Sequence, residues 1–177
     1  MQKPISTSIF ISEAALQQRV AALGKEIADN LEGKPLTVIC ALKGAMVFAA
    51  DIIRQLPNAV ELDFIGASSY RCGTTPSRQI QLTKALELDL TGKHVLLVED
   101  IWDTGHTLAF LTAHLQAQNP ASIHTCVLLD KPERRQVSGT QVDYIGFSIP
   151  DHFVVGYGLD YNQQYRNLPY IGLLHIK

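Results

Sequence analysis

The stretch whose reading decides the fold is Val95-Leu96-Leu97-Val98-Glu99-Asp100-Ile101-Trp102-Asp103-Thr104-Gly105-His106-Thr107-Leu108. Four apolar residues run directly into two carboxylates. A third carboxylate, a glycine and two threonines follow, and a second apolar segment begins at Leu108. A continuous apolar run of this kind is the pattern of a parallel strand buried on both faces. Ligands of open α/β sheets bind beyond the carboxyl ends of such strands. Residues 104–107 are then a short loop whose backbone N–H groups open a helix over 107–118, which is a ready-made cradle for phosphate. Ionised carboxylates only accept hydrogen bonds, so Glu99 and Asp100 beside the cradle suit sugar hydroxyls. An ordinary helix cap would need only Thr104, and a solvated strand end would need neither carboxylate. The full set points to a phosphorylated sugar or a nucleotide.

Working outward, the same alternation of strand and helix continues. Ser12 caps a helix carrying Leu16, Val20, Leu23, Ile27 and Leu31 on one face, closed near Gly33. Strands are predicted over 36–42, 60–67, 79–86, 94–99, 123–129, 142–146, 153–156 and 170–176. A helix is predicted over 45–56, and Asn119-Pro120 stops the helix that follows the central strand. Residues 68–78 are polar, with Gly73 and Pro76, and read as a mobile loop. This order argues a central, mostly parallel sheet with helices on both faces. With 177 residues and neither repeat nor linker, the chain reads as one domain over 1–177.

Composition excludes several classes. The chain is 46% hydrophobic and 18% charged, a globular balance. Net charge is −2, with 17 acids against 15 bases, so the basic excess of a general nucleic-acid binder is missing. No apolar run is long enough to span a membrane. MQKPISTSIF has no signal-peptide core, which makes the cytoplasm the expected compartment. Cys40, Cys72 and Cys126 form no CxxC pair. Cys40 and Cys126 sit in apolar runs and read as small buried hydrophobes, whereas Cys72 lies in the polar loop.

The run VLLVEDIWDTGHTL resembles the phosphoribosyl-pyrophosphate motif of type I phosphoribosyltransferases. Lys131 and the tail FVVGYGLDYNQQYRNLPYIGLL narrow the resemblance to hypoxanthine-guanine phosphoribosyltransferases of the bacterial type, over residues 5–175. The resemblance implies the type I fold, with a small hood beside the main sheet and a flexible loop over the site. It implies transfer of the phosphoribosyl group from 5-phosphoribosyl 1-pyrophosphate to hypoxanthine or guanine, with pyrophosphate released. Mg²⁺ is the implied cofactor and a homodimer or homotetramer the implied assembly, with no nucleic-acid or membrane partner.

The resemblance also distributes roles. Asp103, Thr104, Gly105, His106 and Thr107 would bind the 5′-phosphate, and Asp103 would act as general base at purine N7. His106 in the first helical turn would oppose the helix dipole when charged, yet favour a phosphate. Glu99 and Asp100 would hold the ribose hydroxyls, directly or through Mg²⁺, and Asp160 would be a second metal ligand. Leu42-Lys43-Gly44 resembles the family's pyrophosphate loop, in which a non-proline cis peptide precedes the lysine. Arg166 would meet the pyrophosphate with its planar fork. Lys131 would donate to the 6-oxo group, a contact that the donors of a 6-amino purine cannot accept. Phe153 would stack on the ring, the backbone of Val154 would read its other edge, and Trp102 would line the pocket in place of the smaller aliphatic residue usual there. Ser69 and Tyr70 match the serine-tyrosine pair of the closing loop. Two other readings stand beside the enzyme: a regulator that binds phosphoribosyl pyrophosphate as a signal, and a transferase preferring xanthine.

Overall fold

Strand β2 (Leu36–Leu42) is buried from Leu36 to Ala41, and strand β5 (His94–Trp102) from Val95 to Val98. Apolar side chains project from both faces of these strands, so each face needs a cover. The computed structural model, which describes residues 5–71 and 78–176, supplies it with helices on either side. Around β2 and β5 lie β3 (Val60–Arg71), β4 (Arg78–Lys84), β6 (Ser122–Asp130) and β7 (Tyr144–Ser148), in the order β4-β3-β2-β5-β6-β7. All neighbours are parallel except the edge pair β3–β4.

Side chains alternate between the two faces along a strand. Val38, Cys40, Leu96 and Val98 enter one core with helix α1 (Glu13–Leu31) and helix α2 (Met46–Ile53). Ile39, Ala41, Val95 and Leu97 enter the other with helix α3 (His106–Gln116). Helix α1 buries the predicted stripe of Leu16, Val20, Leu23, Ile27 and Leu31. Ser12 Oγ accepts from Ala15 N at 3.3 Å at its start, and Glu32 and Gly33 turn left-handed at its end. The hood is a separate antiparallel sheet, β1-β9-β8, formed by β1 (Ile5–Ile11), β8 (Val154–Val155) and β9 (Ile171–Ile176).

The predicted elements are present with shifted ends. Helix α2 is shorter than 45–56, α3 begins one residue early, and β3 runs to Arg71 into the segment read as a loop. Strand β1 is not among the predicted elements; its residues include the strand formers Ile, Thr and Phe, and its partner β9 lies at the far end of the chain, so tertiary pairing completes it. Ser69 and Tyr70 lie on β3, with backbones opposite Ile80 and Gln79. The rest of the expected closing loop, 72–77, lies outside the described residues. Among the described residues no helix is long and apolar enough to cross a membrane.

Candidate active site

The carboxyl ends of β2, β5 and β6 meet the hood, and almost every residue singled out in the sequence gathers there. Beyond β5 the chain turns at Gly105, whose φ of +91° is one that glycine takes freely. The Thr104 carbonyl accepts from Gln136 N and Val137 N at 3.0 and 3.1 Å. Among the described residues the N–H groups of Thr104, Gly105, His106 and Thr107 make no backbone hydrogen bond. Four unspent donors at a helix N-terminus are a geometry for an anion. Thr107 and His106 are exposed at this rim, and His106 Nε2 lies 3.3 Å from Gln136 Oε1.

Glu99 is buried, and its Oε2 has no hydrogen-bond partner among the described residues. Burial pushes its pKa well above the ordinary carboxylate range, and the neighbouring Asp100 charge adds to the effect. Burial raises Asp100 as well, against the pull of the Ile101 N–H, which donates to Oδ1 at 2.9 Å, and of Arg166. The two carboxyls therefore titrate as a pair that keeps a proton above the usual range.

The Lys43–Gly44 loop presses on this pair. A Cβ at Gly44 would run into the Asp100 carboxylate, so close approach admits only glycine. The Leu42–Lys43 peptide is cis, and the Lys43 side chain is exposed. From the other side comes the segment after β8: a Cβ at Gly158 would meet the Gly44 carbonyl. Arg166 Nη1 donates to the Gly158 carbonyl at 2.7 Å, and Nη2 lies 2.7 Å from Asp160 Oδ1. Asp100, Gly44, Asp160 and Arg166 thus converge from three separate parts of the chain.

A cleft of about 570 Å³ opens beside this convergence, lined by Ile101, Asp103, Lys131, Arg134, Asp151, Phe153, Val154, Leu159 and Asp160. Its volume lies within the range of small-molecule sites. Lys131 is nearly buried, donates to the His152 carbonyl at 2.6 Å and stands 3.4 Å from Asp151 Oδ1. Phe153 is 57% exposed and meets Tyr161 edge-on, which leaves a ring face available for stacking. Arg134 Nε pairs with Asp103 Oδ1 at 2.5 Å, and its Nη1 reaches both Asp151 oxygens at 3.1 and 3.3 Å. Among the described residues Asp103 Oδ1 makes no hydrogen bond of good geometry despite this pairing. Desolvation raises Asp151, but the hydrogen bonds from Arg134 and Lys131 outweigh it and hold the carboxyl below its ordinary value. A cleft of similar size, about 620 Å³, lies at the opposite ends of β2, β3 and β5. Its charged groups, Glu61 and Lys93, pair with each other at 2.6 Å.

One expected placement is corrected. Trp102 does not line the cleft; Ile101 does. Strict alternation from Val98 through Asp100 would carry Trp102 to the cleft side. The alternation breaks after Asp100, so that Ile101 packs on the first core and Trp102 on the second. The indole lies instead under the Arg135 guanidinium, 3.3 Å from the ring centroid. Sequence reasoning gave no individual role to Arg134, Arg135 or Asp151. The only local signal was the Arg-Arg pair after Lys131. Nothing in its spacing shows that the 3₁₀ turn Pro132–Arg134 folds it back onto Asp103.

The donor set fits a hard cation. Glu99 offers a buried carboxylate oxygen with no hydrogen-bond partner among the described residues, and Asp100 beside it offers another, with Arg166 as the nearby cation. Among the described residues no three potential ligands form a cage, which suits an ion completed by substrate phosphates.

The phosphoribosyl transferase domain model matches residues 8–162. The chain is 47% identical over 167 residues to a hypoxanthine phosphoribosyltransferase of Haemophilus influenzae, covering 93% of each chain. It is 44% identical over 169 residues to that of Escherichia coli K12, covering 94% of each. The crystal structure of a hypoxanthine-guanine phosphoribosyltransferase from Bacillus anthracis superposes with a TM-score of 0.89 at 46% identity, over 97% of this chain and 99% of that one.

Proposed function

The chain belongs to the phosphoribosyltransferases, among those named for hypoxanthine and guanine, and from that premise we propose how its site works in purine salvage. The reaction moves the phosphoribosyl group of 5-phosphoribosyl 1-pyrophosphate to a purine base. The C1–N bond forms as the C1–O bond to pyrophosphate breaks, and pyrophosphate leaves with the bonding electrons. The family is generally Mg²⁺-dependent. Glu99 and Asp100 would hold one ion and Asp160 a second, and when bound these would neutralise the leaving pyrophosphate.

The remaining work falls to the chain's own residues. The N–H groups of 104–107, with the Thr104 and Thr107 hydroxyls and His106, anchor the 5′-phosphate. Glu99 and Asp100 receive the ribose hydroxyls. Backbone N–H groups of the Lys43–Gly44 loop and the Arg166 fork face the pyrophosphate. Phe153 and Ile101 sandwich the ring, Val154 reads its far edge through the backbone, and Lys131 donates to the 6-oxo oxygen. Asp103 accepts the N7 proton as positive charge develops on the ring. Ser69 and Tyr70, at the end of β3, border the segment that closes over the site, and the chain 1–177 acts as one domain in a cytoplasmic homodimer or homotetramer.

The observation that carries this reading is the meeting of Lys131 and Asp103 in one cleft at the edge of the free N–H cradle. The test is turnover of hypoxanthine, guanine, xanthine and adenine in parallel with phosphoribosyl pyrophosphate and Mg²⁺. Turnover of 6-oxopurines and none of adenine is the expected pattern. Turnover of adenine would overturn the role of Lys131. No turnover, with phosphoribosyl pyrophosphate still bound, would restore the regulator, which the enzyme names of the relatives do not favour. Fastest turnover of xanthine would favour the xanthine transferase.

A further inference from the structure

Arg135 is absent from every role assigned above, yet it makes three directed contacts at the base of the phosphate loop. Its Nη1 donates to the Asp103 carbonyl at 2.6 Å. Its Nη2 pairs with the buried carboxylate of Asp130. Its guanidinium plane stacks on Trp102, 3.3 Å from the ring centroid. Only a planar, delocalised cation can fork to two oxygens and stack on an aromatic face at once.

The geometry of the peptide gives these contacts a consequence for the cradle. A trans peptide points its C=O and the following N–H in opposite directions. With the Asp103 carbonyl held by Arg135, the Thr104 N–H is aimed away from Arg135. With the Thr104 carbonyl held by Gln136 N and Val137 N, the Gly105 N–H is aimed away from that segment too. The underside of Gly105 is packed by the same group: a Cβ there would stand 3.3 Å from Val137 Cβ, 3.4 Å from Arg135 Cδ and 3.5 Å from Trp102 Nε1. The indole Nε1 is buried and has no hydrogen-bond partner among the described residues, so the ring is held by the stack and by packing. Asp130, the third arm, directly precedes Lys131, and the Lys131 N–H donates to the Trp102 carbonyl at 3.0 Å.

We propose that Arg135 is a positioning residue: stacked on Trp102 and forked between Asp103 and Asp130, it aims the phosphate-loop donors and ties that loop to the strand end bearing Lys131. Sugar phosphate and base are then held in one frame. Trp102, the chain's only tryptophan, becomes a reporter of the phosphate loop and not of the base.

The proposal rests on the transfer reaction for its kinetic arm and on no chemistry for its spectroscopic arm. Kinetically, R135K keeps the charge and loses the planar fork. We expect it to fold with a Tm near that of the parent and to lose about 100-fold in kcat, the scale of a small misplacement of reacting groups. KM for phosphoribosyl pyrophosphate should rise with that loss, while KM for hypoxanthine stays nearly constant. A folded R135K with parental kcat and KM overturns the proposal, as does a loss shared equally by the two KM values. Spectroscopically, ribose 5-phosphate should change Trp102 emission and hypoxanthine alone should not. Emission unmoved by ribose 5-phosphate, with its binding shown by equilibrium dialysis, overturns the proposal even if R135K does not fold. A parent protein without turnover would count against the transfer reaction and leave the spectroscopic arm readable.

Discussion

Asp103 shows how one residue can be ion-paired and still available. Arg134 pairs with its carboxylate, but among the described residues Oδ1 makes no directed hydrogen bond, so in the proposed reaction the purine proton has an acceptor in place. Asp103→Asn keeps the shape and removes the acceptor. Its kcat is expected to fall by about 10²–10⁴, the range for loss of a general base, with KM for phosphoribosyl pyrophosphate little changed. Steady-state kinetics checks this, and an asparagine variant with parental kcat would sink the assignment. The thiols illustrate the opposite environment. Burial, with Glu99 and Asp100 nearby, pushes Cys40 up to about 12, and burial raises Cys126 further. Since the thiolate is the reactive form, neither should label with a disulfide reagent in the native protein at pH 8. Rapid labelling of Cys40 in a folded sample, read by peptide mass, would contradict the structure.

At the scale of elements, the site depends on surfaces that approach closely. The loop after β2 fits against the Asp100 carboxylate only because Gly44 has no Cβ. Gly44→Ala therefore displaces either the loop or Asp100, and a shift of this size is expected to cost about 10²-fold in kcat/KM. Thermal stability should change much less than activity, because the loop lies at the rim of the core. Helix α1 makes the complementary case. Leu23 is fully buried in the core under the sheet and is not among the residues lining the cleft. Leu23→Ala should cost about 2–5 kcal/mol of stability in denaturant unfolding while leaving kcat unchanged at a temperature where the variant stays folded.

At the scale of the whole molecule, the site sets a pH dependence of stability. The folded pKa values of Glu99 and Asp100 lie above their unfolded ones. Between those values the folded state holds a proton that the unfolded chain has released, so stability falls as pH rises through the window. The contribution is complete below the ordinary carboxylate range and is lost through the folded pKa of the pair. With chelator present, the Tm of the parent protein should fall as pH is raised above about 5, and Glu99→Gln should flatten that slope. Mg²⁺ with pyrophosphate should restore Tm most at the high-pH end, where the pair is charged. Parallel slopes for parent and Glu99→Gln in calorimetry would show that the burial of this pair does not act on stability.

Much of this molecule was legible in its sequence. The apolar run before Glu99, the spacing of Leu16 to Leu31 and the glycine at 33 carry their structural meaning locally: burial on two faces, a helical stripe, a helix end. The sheet class, the positions of its strands and the loop that opens α3 follow from such short-range physics, and the resemblance added the hood and the residues proposed to read the base. What only the tertiary structure decided lies where distant segments meet. Strand β1 exists because β9 returns to pair with it. Ile101, and not Trp102, lines the cleft because the alternation of β5 breaks where the strand runs past the end of its β2 pairing while still paired with β6. Arg134 and Arg135 reach Asp103 because a 3₁₀ turn folds them back across 30 residues of intervening chain. Periodicity records which side of an element is apolar. Contacts between elements depend on twist, closure and the direction of each side chain in space, and these are set only when the whole chain packs.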